Sequence, residues 1–223
     1  MKGLISSRVC RAALLCTLAA IGLGACGAPA NHSTGVYMLL DTSGTYRQEL
    51  EKAGQLINYT LASLDATDSF AVARIDTGSF SEKDIVARVT FEDRPSAANA
   101  QKRQFSETVA AFLTSVDSSP HTDISGGLLQ AVEFLNEKNP GRKTIFIFSD
   151  LEEDLEDGYI RDFEIPLDGV EVVALNVTKL RSDNIDPREY LQRLEQWRDR
   201  VEREGGSWRV VNDLDHLENL LSG

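Results

Sequence analysis

The stretch that decides the fold is residues 36–45, which read Val-Tyr-Met-Leu-Leu-Asp-Thr-Ser-Gly-Thr. Its first five residues form a continuous apolar run, and such runs are typical of central parallel strands that are buried on both faces. Residues 144–148 repeat the arrangement, because a second apolar run leads into Ser149 and Asp150. The sequence therefore predicts two buried strands, each with an aspartate, Asp41 or Asp150, at its carboxyl end.

Around these two strands, helical and extended segments alternate. Apolar residues at helical spacing predict helices over residues 47–64, 97–114, 124–136, 187–204 and 214–221. Further strands are predicted over residues 69–75, 85–91, 170–177 and 208–211. The turn residues at 76–79 predict that the first two of these form an antiparallel hairpin. We therefore expect an α/β fold of three layers: a doubly wound, mostly parallel sheet with one antiparallel edge strand.

The composition indicates an acidic globular domain. The chain has 223 residues, enough for one domain, with 35 acidic residues against 23 basic ones and a net charge of −12. This charge disfavours a nucleic-acid partner, because phosphates bind to basic surfaces. All three cysteines lie within the first 26 residues, so we expect the folded domain to be held together by its core rather than by disulfides.

The first 26 residues have the pattern of a bacterial export signal. Basic residues precede an apolar run over 12–23, which is shorter than the ~20 residues of a membrane-spanning helix. Residues 23–26, Leu-Gly-Ala-Cys, resemble the bacterial lipobox. We expect a signal peptide over 1–25, a lipidated Cys26 with a tether over 26–34, and a folded domain over 35–223. An ordinary signal peptide and a retained membrane anchor are the alternatives.

Asp41, Ser43 and Thr45 occupy alternate positions of one tight loop, so that their side-chain oxygens point to the same side. Oxygen donors suit a hard cation, and the prediction is Mg²⁺, with Mn²⁺ or Ca²⁺ as alternatives. A zinc or copper site is disfavoured, because the three histidines are far apart in the sequence and no cysteine follows residue 26.

This pattern resembles the von Willebrand factor A domain and its metal-ion-dependent adhesion site. In that family a strand ends in Asp-x-Ser-x-Ser, a later loop contributes a threonine, and the fourth strand ends in a further aspartate. Asp41, Ser43 and Thr45 match the first element, with threonine in place of the last serine. Thr122 and Asp150 resemble the other two. The resemblance covers about residues 35–222 and implies a Rossmann-like fold and a metal bound by these five side chains.

The resemblance also implies binding rather than catalysis. In the family one coordination position of the metal is left open, and a carboxylate of a protein partner fills it. Together with the lipid anchor at Cys26, this implies a metal-dependent adhesion or scaffold module of the bacterial cell envelope that is not an enzyme. Position 27 is similar to that of bacterial lipoproteins that are not retained in an inner membrane, because Gly27 lacks the retaining carboxylate. This resemblance implies the periplasmic side of the outer membrane in a cell with two membranes.

One departure from the family pattern is Leu151, which stands where many members have glycine. Five carboxylates follow within residues 152–157. We interpret them as a solvated loop or as the charged first turn of a helix. A second interpretation, that they strengthen cation capture and repel acidic ligands, stays open.

Several neighbouring residues have structural interpretations. Asp123 is expected to cap a helix and Asp76 to form a turn. His121 is interpreted as a loop residue, and Trp197 and Trp208 as packing aromatics.

Two functional alternatives remain. A haloacid-dehalogenase-like phosphatase would also carry an aspartate after a buried strand, and Asp150 and Asp154 have the spacing of its later motif. Its second acid, which protonates the leaving group, is replaced here by Ser43, which cannot perform that step at neutral pH. The other alternative is an interaction domain that binds its partner without metal.

Overall fold

A computed structural model describes residues 31–44, 46, 49–180 and 182–212 of the chain. The strands are β1 (Thr34–Asp41), β2 (Ser69–Ile75), β3 (Ile85–Thr90), β4 (Arg142–Phe148), β5 (Val170–Leu175) and β6 (Ser207–Val211). The α-helices are α1 (Leu50–Ser63), α2 (Pro95–Ser115), α3 (Ile124–Lys138) and α4 (Pro187–Arg203), and short 3₁₀ turns span Glu82–Asp84 and Ser182–Asn184. Within the described ranges, no helix combines the length and the apolar character needed to cross a membrane.

The six strands form one sheet in the order β3-β2-β1-β4-β5-β6. All neighbours are parallel except β3, which runs antiparallel to β2. Strand β1 lies at the centre, where Leu40 is paired with Arg74 of β2 on one side and with Phe148 of β4 on the other. The strand order reverses between β1 and β4, and in doubly wound sheets ligands bind at this point, beyond the carboxyl ends of the strands. The predicted fold class and antiparallel hairpin are confirmed.

Both faces of the sheet are covered by helices, which explains the continuous apolar run of β1. Tyr37 and Leu39 belong to one core cluster together with buried residues of α3 and α4. Val36, Met38 and Leu40 belong to a second cluster, with buried residues of α1 and α2. Because successive side chains of a strand point to opposite faces, each residue of the run is buried in one of these two clusters.

The predicted elements agree with the observed ones to within a few residues at each end. Helix α3 begins after Asp123, whose carboxylate accepts a hydrogen bond from the Gly126 N–H at 2.8 Å, and it ends at Asn139 in the left-handed conformation. Strand β5 ends at Leu175, earlier than predicted, because Asn176 adopts a φ of 52°. The predicted export signal over 1–25, Cys26 and the helix over 214–221 lie outside the described residues.

Candidate metal centre

Asp41, the last residue of β1, lies fully buried at the carboxyl end of the sheet. Its Oδ1 accepts a hydrogen bond from the Ser43 N–H at 2.8 Å, and its Oδ2 accepts one from the Ser149 hydroxyl at 2.7 Å. Burial raises the pKa of Asp41, while the hydrogen bonds from Ser149 and Ser43 act in the opposite direction. The carboxylate is therefore held in one orientation from two sides.

Asp150 follows the neighbouring strand β4 and is 3% exposed. Burial raises the pKa of Asp150 to about 6; the Glu152 N–H lowers it, and the negative charge of Asp41 raises it further. The Glu152 N–H lies 3.0 Å from Asp150 Oδ1. Strands β1 and β4 thus bring two buried carboxylates near enough for the charge of Asp41 to oppose the ionisation of Asp150.

Three loops meet above these carboxylates, and main-chain hydrogen bonds join them. The Ser119 N–H donates to the Thr42 carbonyl at 2.9 Å, in a parallel bridge between Ser43 and Ser119. Thr122 and Asp154 exchange two N–H···O=C bonds of 2.8 and 3.0 Å. The loops after β1, before α3 and after β4 are therefore positioned by backbone pairing.

A cavity of about 540 Å³ opens between these loops. It is lined by Ser43, Gly44, Ser118, Ser119, Pro120, Thr122, Asp150, Glu152, Glu153 and Asp154. Three of the five predicted metal ligands, Ser43, Thr122 and Asp150, thus share one cavity. Asp41 is joined to the same region through Ser43 and Ser149. The fifth, Thr45, lies outside the described residues.

Two further aspartates near the site have cationic partners of their own. Asp123 caps α3, and its carboxylate also receives the Arg161 Nε–H at 3.0 Å. Asp76 accepts a hydrogen bond from the Thr77 N–H at 2.7 Å and forms an ion pair with Arg74 at 2.8 Å. The predicted capping role of Asp123 and turn role of Asp76 are confirmed.

The acidic run over 152–157 is a loop, as one of its two interpretations predicted, and the other interpretation, the first turn of a helix, is wrong. Glu152 and Asp154 are exposed. Glu153 is different, since its carboxylate accepts a hydrogen bond from the Ser125 N–H at 2.7 Å in the first turn of α3. Its charge faces the positive end of the helix dipole. His121 is a loop residue as predicted, with Nδ1 3.3 Å from Asp154 Oδ2.

Sequence reasoning missed three residues that support the site. Ser149 joins the ends of β1 and β4, and Arg193 and Trp197 of α4 donate hydrogen bonds to the carbonyls of Asp150 and Leu151 at 2.9 and 3.0 Å. The role of Ser149 could have been predicted, because a serine directly before Asp150 places a hydroxyl group at the carboxyl end of the strand. The burial of Trp197 agrees with its predicted role as a packing aromatic. Its hydrogen bond could not be predicted, because the Leu151 carbonyl that accepts it lies 46 positions away.

The side-chain atoms that could coordinate a metal at this site are oxygen atoms. In the described part of the chain, no group of three or more His, Cys, Asp or Glu side chains is arranged to hold a metal ion. A centre here would therefore combine the two carboxylates of Asp41 and Asp150 with the hydroxyls of Ser43 and Thr122. Such a mixed oxygen set fits a hard divalent cation.

Known structures identify the fold. No protein-family model and no curated protein matches the sequence. A von Willebrand factor type A structure from Catenulispora acidiphila matches with a TM-score of 0.56 and 13% identity, over 85% of this chain and 41% of that one. The pilus adhesin SpaC from Lactobacillus rhamnosus GG, in an open conformation, matches with a TM-score of 0.55 and 12% identity, over 85% of this chain and 29% of that one. The chain thus spans less than half the length of either structure. Together with the strand order, these similarities show that the described domain has the von Willebrand factor A fold.

Proposed function

We propose that this chain is a membrane-anchored module of the bacterial cell envelope that binds a protein partner through a divalent cation. The observation that carries the proposal is the pair of buried carboxylates, Asp41 and Asp150, at the ends of two neighbouring strands. Two adjacent buried negative charges destabilise a fold unless positive charge balances them. A bound cation would supply that charge.

The residues that would hold the cation are Asp41, Ser43, Thr45, Thr122 and Asp150. Their oxygen donors suit Mg²⁺, with Mn²⁺ or Ca²⁺ as alternatives. When bound, the cation would offer a coordination position to an acidic side chain of the partner. The chain's own contribution is preorganisation: Ser149 and the Ser43 N–H orient Asp41, and backbone pairing positions Thr122.

The acidic loop gives the proposed interface its selectivity. Glu152 and Asp154 are exposed and line the same cavity as Thr122 and Asp150. Their negative potential disfavours an isolated carboxylate. The partner we propose therefore carries an acidic residue surrounded by lysine or arginine. The similarity in fold to SpaC, a pilus adhesin, is consistent with a binding role.

The anchoring part of the proposal depends on Cys26. Lipidation at this cysteine would tether the domain through residues 26–34 to a membrane, the outer one on its periplasmic side if the source has two. Two or more acyl chains give stable anchoring, whereas one gives only marginal binding.

The experiment that tests the metal is thermal unfolding with and without Mg²⁺ or Mn²⁺. A ligand that binds only the folded state at about 100 times its dissociation constant stabilises that state by about 2.7 kcal/mol. We expect this stabilisation in the wild type and its loss in Asp41→Ala, which should remain folded by circular dichroism. Asp117→Ala, at an exposed carboxylate, is the matched control. Unchanged stabilisation by metal in Asp41→Ala would contradict the assignment.

The same variant separates binding from catalysis. We propose that the domain is not an enzyme, because Ser43 stands where the phosphatase alternative needs a second acid. Hydrolysis of phosphate esters that requires Asp41 would replace the binding proposal with that alternative. Crosslinking of the lipidated protein in cells, with and without chelator, would identify the partner, and chelator-resistant crosslinks would favour an interaction without metal.

A further inference from the structure

Leu151, directly after Asp150, has an unfavourable backbone conformation. Its φ is 66°, in the left-handed region, and its side chain is only 1% exposed. A bulky residue rarely adopts this conformation, and it persists only where the surrounding structure holds it. Side chains of α4 and of Ser149 hold it here.

Helix α4 holds the turn through two side chains that lie four residues apart and therefore on the same face of the helix. Arg193 Nε donates to the Asp150 carbonyl at 2.9 Å, and Trp197 Nε1 donates to the Leu151 carbonyl at 3.0 Å. Arg193 is itself held by Asp183, whose Oδ2 lies 2.8 Å from Nη2 and whose side chain is fully buried. Both successive carbonyls of the turn are thus bound by a fixed donor.

Ser149 joins the other side of the turn to the centre of the sheet. Its Oγ accepts a hydrogen bond from the Leu151 N–H at 2.9 Å and donates one to Asp41 Oδ2 at 2.7 Å. The Glu152 N–H binds Asp150 Oδ1 at 3.0 Å. The strained turn therefore connects α4 to both buried carboxylates.

We propose that Arg193 and Trp197 are positioning residues of the candidate metal centre. By holding the Asp150–Leu151 turn in its left-handed conformation, they keep the Asp150 carboxylate at the cavity that it shares with Ser43 and Thr122. This inference rests on the proposed function. Its consequence is that the affinity of the centre for metal depends on α4, although neither side chain contributes a ligand.

The test uses two conservative substitutions and a matched control for each. Trp197→Phe keeps an aromatic ring and removes the N–H donor, while Arg193→Lys keeps the charge opposite Asp183 and removes the Nε donor. The controls are Trp208→Phe, in the half-buried β6, and Arg198→Lys, on the same helix as Arg193 and paired with the exposed Glu195 and Asp199. Each protein is titrated with Mg²⁺ and with Mn²⁺ by calorimetry, and its amide hydrogen exchange is measured by NMR without metal.

We expect the dissociation constant for metal to rise about 10- to 100-fold in Trp197→Phe and Arg193→Lys, the range found when outer-shell hydrogen bonds to a metal ligand are removed. Exchange at the Leu151 and Glu152 amides should become faster in the same two variants. The two controls should change neither quantity, even where they lower the melting temperature, which separates positioning from general stability.

The outcomes distinguish this inference from the proposed function. Wild-type affinity in both variants, in a protein that binds metal, overturns the positioning role and leaves the proposed function intact. If the wild type binds neither Mg²⁺ nor Mn²⁺, the proposed function fails and the metal part of this inference fails with it. The exchange rates then decide the remaining part: unchanged rates at Leu151 and Glu152 show that α4 does not hold the turn.

Discussion

Replacing Asp150 by asparagine should stabilise the metal-free domain at neutral pH. Burial raises the pKa of Asp150 from 3.8 to about 6. Between these values the folded state binds more protons than the unfolded state, so that the free energy of unfolding falls as the pH rises. The ionisation of Asp150 therefore lowers the free energy of unfolding by about 3 kcal/mol at about pH 7.5, and by less than about 1 kcal/mol at about pH 4. Asparagine removes this cost.

The assay is urea unfolding in the presence of a chelator, followed by tryptophan fluorescence, at about pH 4 and about pH 7.5. Asp150→Asn should exceed the wild type in stability by about 3 kcal/mol at the higher pH and by little at the lower one. The exposed Asp117→Asn serves as the control. Free Mg²⁺ at about 100 times its dissociation constant should raise the free energy of unfolding of the wild type alone, by about 2.7 kcal/mol. The wild type and Asp150→Asn should then be nearly equal in stability.

The difference between the two pH values is the decisive quantity, because a general packing effect of asparagine would be the same at both. The reasoning would be refuted if Asp150→Asn were less stable than the wild type at neutral pH. It would also be refuted if the two proteins differed in free energy of unfolding by the same amount at both pH values. It would mean that burial does not disfavour the ionised form of Asp150 in the folded domain.

Two further predictions concern the anchor and the acidic loop. Cys26→Ser should lose incorporation of a fatty-acid analogue, and a variant that is still cleaved after Ala25 and still labelled would contradict lipidation at this residue. Simultaneous Glu152→Lys and Asp154→Lys should slow association with the partner found by crosslinking and remove its dependence on salt, as measured by surface plasmon resonance. Glu153 is kept in that variant because it binds the N-terminus of α3, and an unchanged association rate would show that the loop does not select the partner.

The features that could be predicted from the sequence are those with a local pattern. The apolar runs at 36–40 and 144–148 predict central strands because burial on both faces removes polar residues from every position. The predicted cap at Asp123 depends on its own helix, and a capping interaction spans only a few residues.

The features that could not be predicted depend on contacts between distant parts of the chain. Trp197 reaches Leu151 across 46 positions, and Arg161 reaches Asp123 across 38. The left-handed backbone of Leu151 is not indicated by the residue itself, since leucine rarely adopts a positive φ. The metal itself, the ligand roles of the five side chains and the lipid at Cys26 stay predictions.

The backbone pairing of Thr122 with Asp154 separates the shape of the site from its chemistry. Their N–H and C=O groups exchange both hydrogen bonds, and every amino acid except proline can supply them. The side chain at position 122 can therefore change over evolution, from a hydroxyl to a carboxylate or an amide, while the loop keeps its path. One scaffold can thus explore different ion preferences, or lose ion binding altogether, by single substitutions that leave the surrounding architecture in place.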